Sequence, residues 1–139
     1  MPGQPSPARQ RTMQLQKRTF EFARNVLDLC PRALSDEPSR VIWRQLVRSA
    51  PSASGNLEEA DEASSDADFI FKMKLATREM KESRRWLRFI VTCRLASHDR
   101  VAGVEDESRQ LAAIFATIVV NTKKRLEAEA ARKRRQRCQ

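Results

Sequence analysis

The sequence is poor in the residue types on which most enzymes depend. It contains no tyrosine, one histidine (His98) and three isolated glycines. With a single histidine the chain cannot form a histidine-based catalytic triad, and it lacks the Glu-x-x-His pairs of di-iron bundles. Isolated glycines do not make a phosphate-binding loop. We therefore predict that the protein is not an enzyme and that it binds no cofactor.

Cysteine is also scarce, and its spacing argues against a metal site or a disulfide framework. Cys30, Cys93 and Cys138 are odd in number, and no CxxC motif accompanies them. Cys30 and Cys93 fall on apolar stripes, so we expect both thiols to pack as small hydrophobic groups. An acidic cluster between Glu58 and Asp66 could hold a cation. Acids at a helix junction are more often solvated, and we predict no metal.

Long hydrophobic runs are absent as well. No apolar run approaches the roughly 18 residues that a membrane span requires. The N-terminal segment MPGQPSPARQRTMQLQ has no apolar centre, so it does not resemble a secretory signal. We expect a cytoplasmic protein with no membrane partner.

The sequence does contain the composition and the periodicity of helices. Of its 139 residues, 40% are hydrophobic and 32% are charged, which allows one helical domain with its own core. Apolar residues recur at spacings of three and four in four segments, a pattern typical of amphipathic helices. The predicted helices span about 12–34, 38–62, 66–95 and 104–126. Short links between them predict an all-α fold, an antiparallel up-and-down four-helix bundle over residues 12–126.

Proline positions indicate where these helices bend or end. Pro31 predicts a kink or an early end of the first helix near Leu29, because proline removes a backbone donor and clashes one turn back. Asp36 or Ser35 is expected to cap the second helix. Pro51 lies inside the second helix and predicts a bend there.

Two tails flank the predicted bundle and carry most of the net charge of +9. Residues 1–11 are rich in proline and have no apolar period, so we predict disorder. Residues 127–139 have high helix propensity but no apolar stripe, and we predict a basic tail that frays or projects as a helical extension. The basic residues at this end of the chain are Lys123, Lys124, Arg125, Arg132, Lys133, Arg134, Arg135 and Arg137.

Two acids in the third predicted helix need partners. Glu79 and Glu82 lie on the same stripe as Trp86, and a shielded carboxylate requires a cation or a hydrogen-bond donor. Arg48 and Asn56 of the second helix are the candidates. We predict that these four polar side chains form a structural network that fixes the register of the two helices.

The basic residues are the best candidates for a function. A second group lies on the outer face of the third predicted helix and consists of Lys81, Arg84, Arg85 and Arg88. Clustered cations bind phosphate backbones without sequence preference, which predicts nucleic acid, RNA or DNA, as a partner. The alternative is a protein-interaction scaffold whose basic faces only keep it in solution, with acids such as Glu79 as neighbours. Helices that are apolar over more than one stripe also predict self-association.

Several short motifs resemble a known family. Ser52, Asn56 and Glu59 match the S-x-x-x-N-x-x-E signature of four-helix-bundle proteins encoded in bacterial 23S rRNA intervening sequences. The segment from Glu79 to Leu87 is similar to the E-x-x-E-x-x-x-W-L pattern in the third helix of one branch of that family. The resemblance covers about residues 17–126.

A related bundle is the accessory variability protein of diversity-generating retroelements, which is similar in the region Trp86–Phe89. The resemblance implies an antiparallel four-helix bundle that assembles into a homopentameric barrel. For the retroelement relatives it also implies a basic surface that binds nucleic acid and a reverse transcriptase as partner. The intervening-sequence proteins carry no established activity.

Overall fold

The chain is all-helical in the computed structural model, which describes residues 3–34 and 36–139. There are four helices and no strand within these ranges. The helices are α1 (Pro7–Leu29), α2 (Glu37–Asp61), α3 (Asp66–Thr92) and α4 (His98–Arg137). Met1 and Pro2, which belong to the predicted disordered tail, and Ser35, one of the two predicted caps, lie outside the described residues.

Side-chain caps explain where three of the helices begin. The Ser6 hydroxyl accepts a hydrogen bond from the backbone N–H of Arg9 at 3.2 Å, and Pro7 follows it in the first turn. Asp36 caps α2 through Ser39 in the same way. Ser65 does so for α3, where the N–H of Asp68 donates at 3.1 Å. Such caps satisfy backbone donors that have no partner inside the helix.

Helix ends differ from the sequence prediction mainly in α1 and α4. α1 begins at Pro7, inside the segment 1–11 predicted as disordered, because Ser6 and Pro7 supply a cap and a first turn. It ends at Leu29, where the effect of Pro31 was expected. α4 spans 98–137 rather than 104–126. Its additional C-terminal turns consist of strong helix formers, which continue a helix without tertiary packing.

α2 continues without a break across Pro51, which lies inside the helix and is exposed to solvent. The sequence predicted a bend at this position. The helix is continuous from Glu37 to Asp61, on both sides of the proline.

The helices form a bundle in which each packs on two neighbours. α1 contacts α2 and α4, and α3 contacts α2 and α4, while the backbones of the diagonal pairs lie farther apart in the described residues. The α1–α4 junction is the most sparsely packed of the four. The core contains one face of every helix, and its largest completely buried side chains include Trp43, Phe22, Phe115 and Met73. This arrangement leaves the outer faces of α3 and α4 side by side along one groove.

The cysteines lie where the helix ends place them. Cys93 is exposed, contrary to the expectation of a packed thiol, because α3 ends at Thr92 and the apolar stripe ends with it. Cys30 is half-buried, and this burial raises the pKa of its thiol.

Across the described residues no helix has a stretch both long and apolar enough to cross a membrane.

Candidate nucleic-acid interface

The predicted polar network joins α2 to α3 through one arginine. A guanidinium N–H of Arg48 donates to Glu82 Oε1 at 2.7 Å, and another nitrogen lies 3.4 Å from Glu79 Oε2. The Trp86 indole donates to the same Glu82 oxygen at 3.3 Å. Burial raises the pKa of Glu82, but the bonds from Arg48 and Trp86 outweigh it, and the net pKa is lowered. The Glu82 carboxylate is thereby held ionised in a shielded position.

Asn56 does not join this network, contrary to the prediction. Its side-chain amide donates to the backbone oxygen of Ser52 at 3.0 Å and to the Ser52 hydroxyl at 3.3 Å. Because both acceptors lie one turn earlier in α2, the amide is satisfied within its own helix. The Ser52–Asn56 part of the signature is thus a local contact.

Three further arginines are paired across helix junctions. Arg9 of α1 pairs with Asp61 of α2, and Arg18 of α1 pairs with Glu107 of α4. Arg125 of α4 lies 3.1 Å from Asp66 at the start of α3. With the Arg48 pairs, every junction between neighbouring helices has an interhelical ion pair.

The outer face of α3 differs from these junctions, because it concentrates six cations that form no ion pair with a described residue. Among the described residues no carboxylate lies within 4.0 Å of any of them, since the ion pairs there involve other cations. These unpaired cations, the α3 basic row, are Lys74, Arg78, Lys81, Arg84, Arg85 and Arg88. Glu79, the acid expected to neutralise them, pairs with Arg48 of α2 instead.

The α3 basic row lines a groove against α4. One section has a volume of about 420 Å³ and is lined by Lys81, Arg84, Arg85, Arg88 and Arg109. Besides Arg109, its α4 side consists of three alanines, Ala112, Ala113 and Ala116. The next section, of about 400 Å³, continues along α3 past Arg78 to Lys74. Alanines keep the groove open, so a phosphate chain could approach the backbone of α4 closely.

Arg84 lies where the groove meets a second depression near the start of α4. That depression has a volume of about 250 Å³ and is also lined by His98 and Arg109 and by the acids Glu105 and Asp106. Arg84 Nε is shielded from solvent and finds no hydrogen-bond acceptor in the described part of the chain. A buried donor without a partner costs about 1–3 kcal/mol, and an anion in this part of the groove could supply an acceptor.

The groove ends near the first cations of the C-terminal segment. The ammonium groups of Lys74 in α3 and Lys123 in α4 lie close together, and this contact lowers the pKa of Lys74. A bound anion at this place would lessen the repulsion between the two like charges. Beyond Arg125, which is level with the start of α3, α4 continues for twelve residues, about 18 Å at 1.5 Å per residue.

This projecting end of α4 carries most of the predicted C-terminal cations on an exposed helix. The residues Arg132, Lys133, Arg134, Arg135 and Arg137 are all exposed. Arg125 is less available, because it pairs with both Asp66 and Glu129, and these contacts raise its pKa. Lys124 is exposed, beside Lys123.

Three groove residues, Lys74, Arg78 and Arg109, were not among the predicted binding residues. Arg78 shares the exposed face of α3 with Lys74, Lys81 and Arg85, since these positions repeat at three and four residues. That spacing could have identified it. Arg109 belongs to α4 and pairs with Asp106 at 2.9 Å, and no local pattern indicates which part of α4 faces α3.

The acidic residues offer no metal site in the described ranges. No group of three or more histidine, cysteine, aspartate or glutamate side chains is arranged there to hold an ion. Asp61 and Asp66, from the acidic cluster, instead pair with Arg9 and Arg125. His98 is exposed at the first turn of α4.

Comparison with known proteins gives a family match and a similar fold. The sequence model of the 23S rRNA-intervening sequence protein family matches residues 11–117. A solved structure of a protein of unknown function from the S23 ribosomal protein family of Bacteroides thetaiotaomicron is similar in fold, with a TM-score of 0.70. It is 24% identical, and the alignment covers 78% of this chain and 96% of that one. No curated protein shows significant similarity to the chain.

Proposed function

The chain belongs to the 23S rRNA-intervening sequence protein family, and from this premise we propose that it is a non-enzymatic protein that binds the nucleic-acid backbone. The binding surface consists of the groove between α3 and α4, lined by the α3 basic row, and the basic end of α4. The observation that supports this proposal most directly is the unpaired state of the row. On this bundle, arginines at the helix junctions have carboxylate partners, whereas these six adjacent cations form no ion pair within 4.0 Å among the described residues.

The charge distribution supports a phosphate ligand over a merely solubilising face. Solubility needs scattered charges of both signs, but the α3 basic row concentrates one sign along a groove. The names of the matched family and of the similar structure refer to ribosomal RNA and to a ribosomal protein family. They support RNA as the first nucleic acid to test.

The test compares RNA binding by two variants of equal charge. Lys81→Gln/Arg85→Gln removes two groove cations, and Arg24→Gln/Arg40→Gln removes two exposed cations from α1 and α2. We expect only the groove variant to weaken binding of labelled RNA, and to reduce the slope of log K against log salt by about one for each phosphate that the protein no longer neutralises. Equal losses of affinity in both variants would show a general charge effect, and unchanged affinity in the groove variant would refute the proposed surface.

A protein-interaction scaffold without a nucleic-acid role is the alternative function. It predicts that wild-type protein binds neither RNA nor duplex DNA at low salt. Contact with a reverse transcriptase or another protein remains a prediction that rests on the similarity at Trp86–Phe89, and a cytoplasmic location also remains a prediction.

Self-association is the second part of the proposal. Met13, Phe20 and Leu27 follow one another at seven-residue intervals on α1 and are 46–59% exposed. Regular apolar stripes of this kind are typical of helix–helix interfaces. A homopentamer, which the family resemblance implies, would bring five basic grooves and five basic helix ends into one particle and increase avidity. Light scattering coupled to size exclusion measures the mass directly.

A further inference from the structure

An exposed aromatic ring lies at one end of the α3 basic row. Phe89 is 51% exposed, and it follows Arg85 by four residues, so both lie on the same face of α3. Together with Arg85, Arg88 and Thr92 it lines a cleft of about 280 Å³. Two guanidinium groups that form no ion pair within 4.0 Å of a described carboxylate thus flank a phenyl ring that is open to solvent.

The Phe89 ring packs against Trp86, which is itself anchored by a hydrogen bond. Trp86 and Phe89 have centroids 5.8 Å apart, with their planes tilted by 38°. The Trp86 indole donates to Glu82, and Glu82 is held by Arg48 of α2. This series of contacts supports Phe89 on a rigid part of the bundle. A rigid ring loses little conformational entropy when a ligand covers its exposed face.

Phosphate and a flat apolar surface are complementary to such a cleft, and unpaired nucleotides present both. In a duplex the base faces are hidden by stacking, whereas in a single strand they are available to aromatic side chains. We infer that Phe89, Arg85 and Arg88 form a subsite for single-stranded nucleic acid, in which one base stacks on Phe89 while the adjacent phosphates lie in the groove along α3. This inference rests on the proposed function and adds a preference for unpaired strands.

Charge favours this occupant over a second copy of the chain. The protein has a net charge of +9, and the cleft is lined by two arginines. Two such faces brought together would repel each other. A nucleic-acid strand instead neutralises the arginines as it covers the ring.

The experiment compares Phe89→Ala, Phe89→Leu and Phe89→Trp with wild type, using a labelled oligouridylate and a blunt RNA duplex of equal length. Leucine keeps an apolar group without the ring, and tryptophan keeps a stacking surface. We expect the alanine and leucine variants to bind the oligouridylate about tenfold more weakly. Tryptophan should retain affinity, and all three variants should bind the duplex like wild type. A stacking-sensitive adenine analogue in the oligonucleotide should lose fluorescence with wild type but not with Phe89→Ala.

Other outcomes overturn the inference in distinguishable ways. If all variants bind the oligouridylate like wild type, Phe89 does not stack, and the proposed groove still stands. If a variant loses affinity equally for the single strand and the duplex, Phe89 affects the shape of the whole surface and does not form a subsite for unpaired strands. A change in the mass of Phe89→Ala by light scattering would place the ring between copies of the chain. If wild type binds neither RNA, the proposed function and the subsite are both refuted. Circular dichroism establishes that each variant is folded.

Discussion

Ser49 of α2 and Ser83 of α3 share a hydrogen bond of 2.8 Å between hydroxyl oxygens, and both residues are 0% exposed. Each hydroxyl also lies within reach of a carbonyl of its own helix, Leu46 for Ser49 and Glu79 for Ser83. Small residues at this crossing let the two helices approach, and the polar pair fixes their register. Arg48, the neighbour of Ser49, forms the ion pairs with Glu79 and Glu82 one helix away.

At the serine pair, removing one hydroxyl should cost less stability than adding methyl groups. Ser49→Ala and Ser83→Ala should each lower the free energy of unfolding by about 1 kcal/mol, because the remaining hydroxyl keeps an acceptor in its own helix. The double alanine variant should cost less than the sum of the single variants. Ser83→Val should cost about 1–3 kcal/mol, since added methyl groups overpack a completely buried site. Urea unfolding measures these differences, and a harmless Ser83→Val would contradict tight packing here.

Glu82 predicts a loss of stability at acid pH. Its pKa is lowered below the ordinary 4.5 in the folded protein, so its contribution is present above about 4.5 and is lost as the pH falls through the folded value. Glu82→Gln should therefore be less stable than wild type at neutral pH, by about 1 kcal/mol, and the difference should shrink below pH 4.5.

The control for this prediction is Glu58→Gln, which removes an exposed carboxylate of α2 that has no ion pair to any described residue. Asp68 and Asp106 also have lowered pKa values, through the backbone N–H of Ser64 and the Arg109 side chain respectively. Wild type thus has several acid-sensitive groups, and only the difference from Glu82→Gln isolates one. A difference that stays constant from pH 7 to pH 3 would contradict the ion-pair interpretation.

Local sequence signals predicted the helices, whereas the partners of several polar side chains could be identified only in the structure. Leu29 ends α1, as the position of Pro31 indicated, and Asp66 begins α3, at the first residue of the predicted range 66–95. The Arg48–Glu82 pair could be inferred because a shielded acid requires a partner. Asn56 was misassigned, since an amide can be satisfied within its own helix and periodicity does not reveal which solution is adopted.

The groove itself could be predicted only in part. The exposed cations of α3 follow from helical spacing, but the position of α4 opposite them does not. Arg109 and the alanine side of the groove therefore appear only in the structure. Apolar periodicity ends near Leu126, whereas helix propensity continues to Arg137, and of the two alternatives predicted for residues 127–139 the structure has the helical extension.

Two glycines inside helices predict stabilising substitutions. Gly55 in α2 and Gly103 in α4 have helical neighbours on both sides, and a β-carbon added at either position would meet nothing within 4 Å. Gly55→Ala and Gly103→Ala should each raise the free energy of unfolding by about 0.5–1 kcal/mol. Gly3→Ala is the matched control, since it lies outside any helix and also has open space. Destabilisation at Gly55 would indicate that another surface covers this part of α2.

The apolar stripe on α1 predicts the effect of a charge on assembly. Phe20 is 59% exposed and lies midway between Met13 and Leu27. Phe20→Glu should lower the mass measured by light scattering, because a buried unpaired carboxylate disfavours the interface. The fold should be unaffected, since the Phe20 side chain is largely exposed and contributes little to the core. Phe71→Glu, at an equally exposed phenylalanine of α3, is the control. A wild-type monomer would refute self-association through this stripe.

The end of α4 should contribute to binding but not to stability. Truncation after Leu126 removes Arg132, Lys133, Arg134, Arg135 and Arg137, all exposed. The free energy of unfolding should change by less than about 0.5 kcal/mol, and helical ellipticity should decrease. RNA affinity should fall, with a smaller dependence on salt, because fewer cations displace counterions.

Glu127→Gln/Glu129→Gln provides the opposite change in the same segment. It keeps the helix and all its cations, removes two acids, and releases Arg125 from the bond to Glu129 Oε1 at 3.0 Å. This variant should bind RNA more tightly than wild type, with a steeper salt dependence. If truncation leaves affinity unchanged and the acid-free variant also binds like wild type, the end of α4 takes no part in binding. The groove between α3 and α4 would then be the whole interface, since its six unpaired cations lie before residue 127.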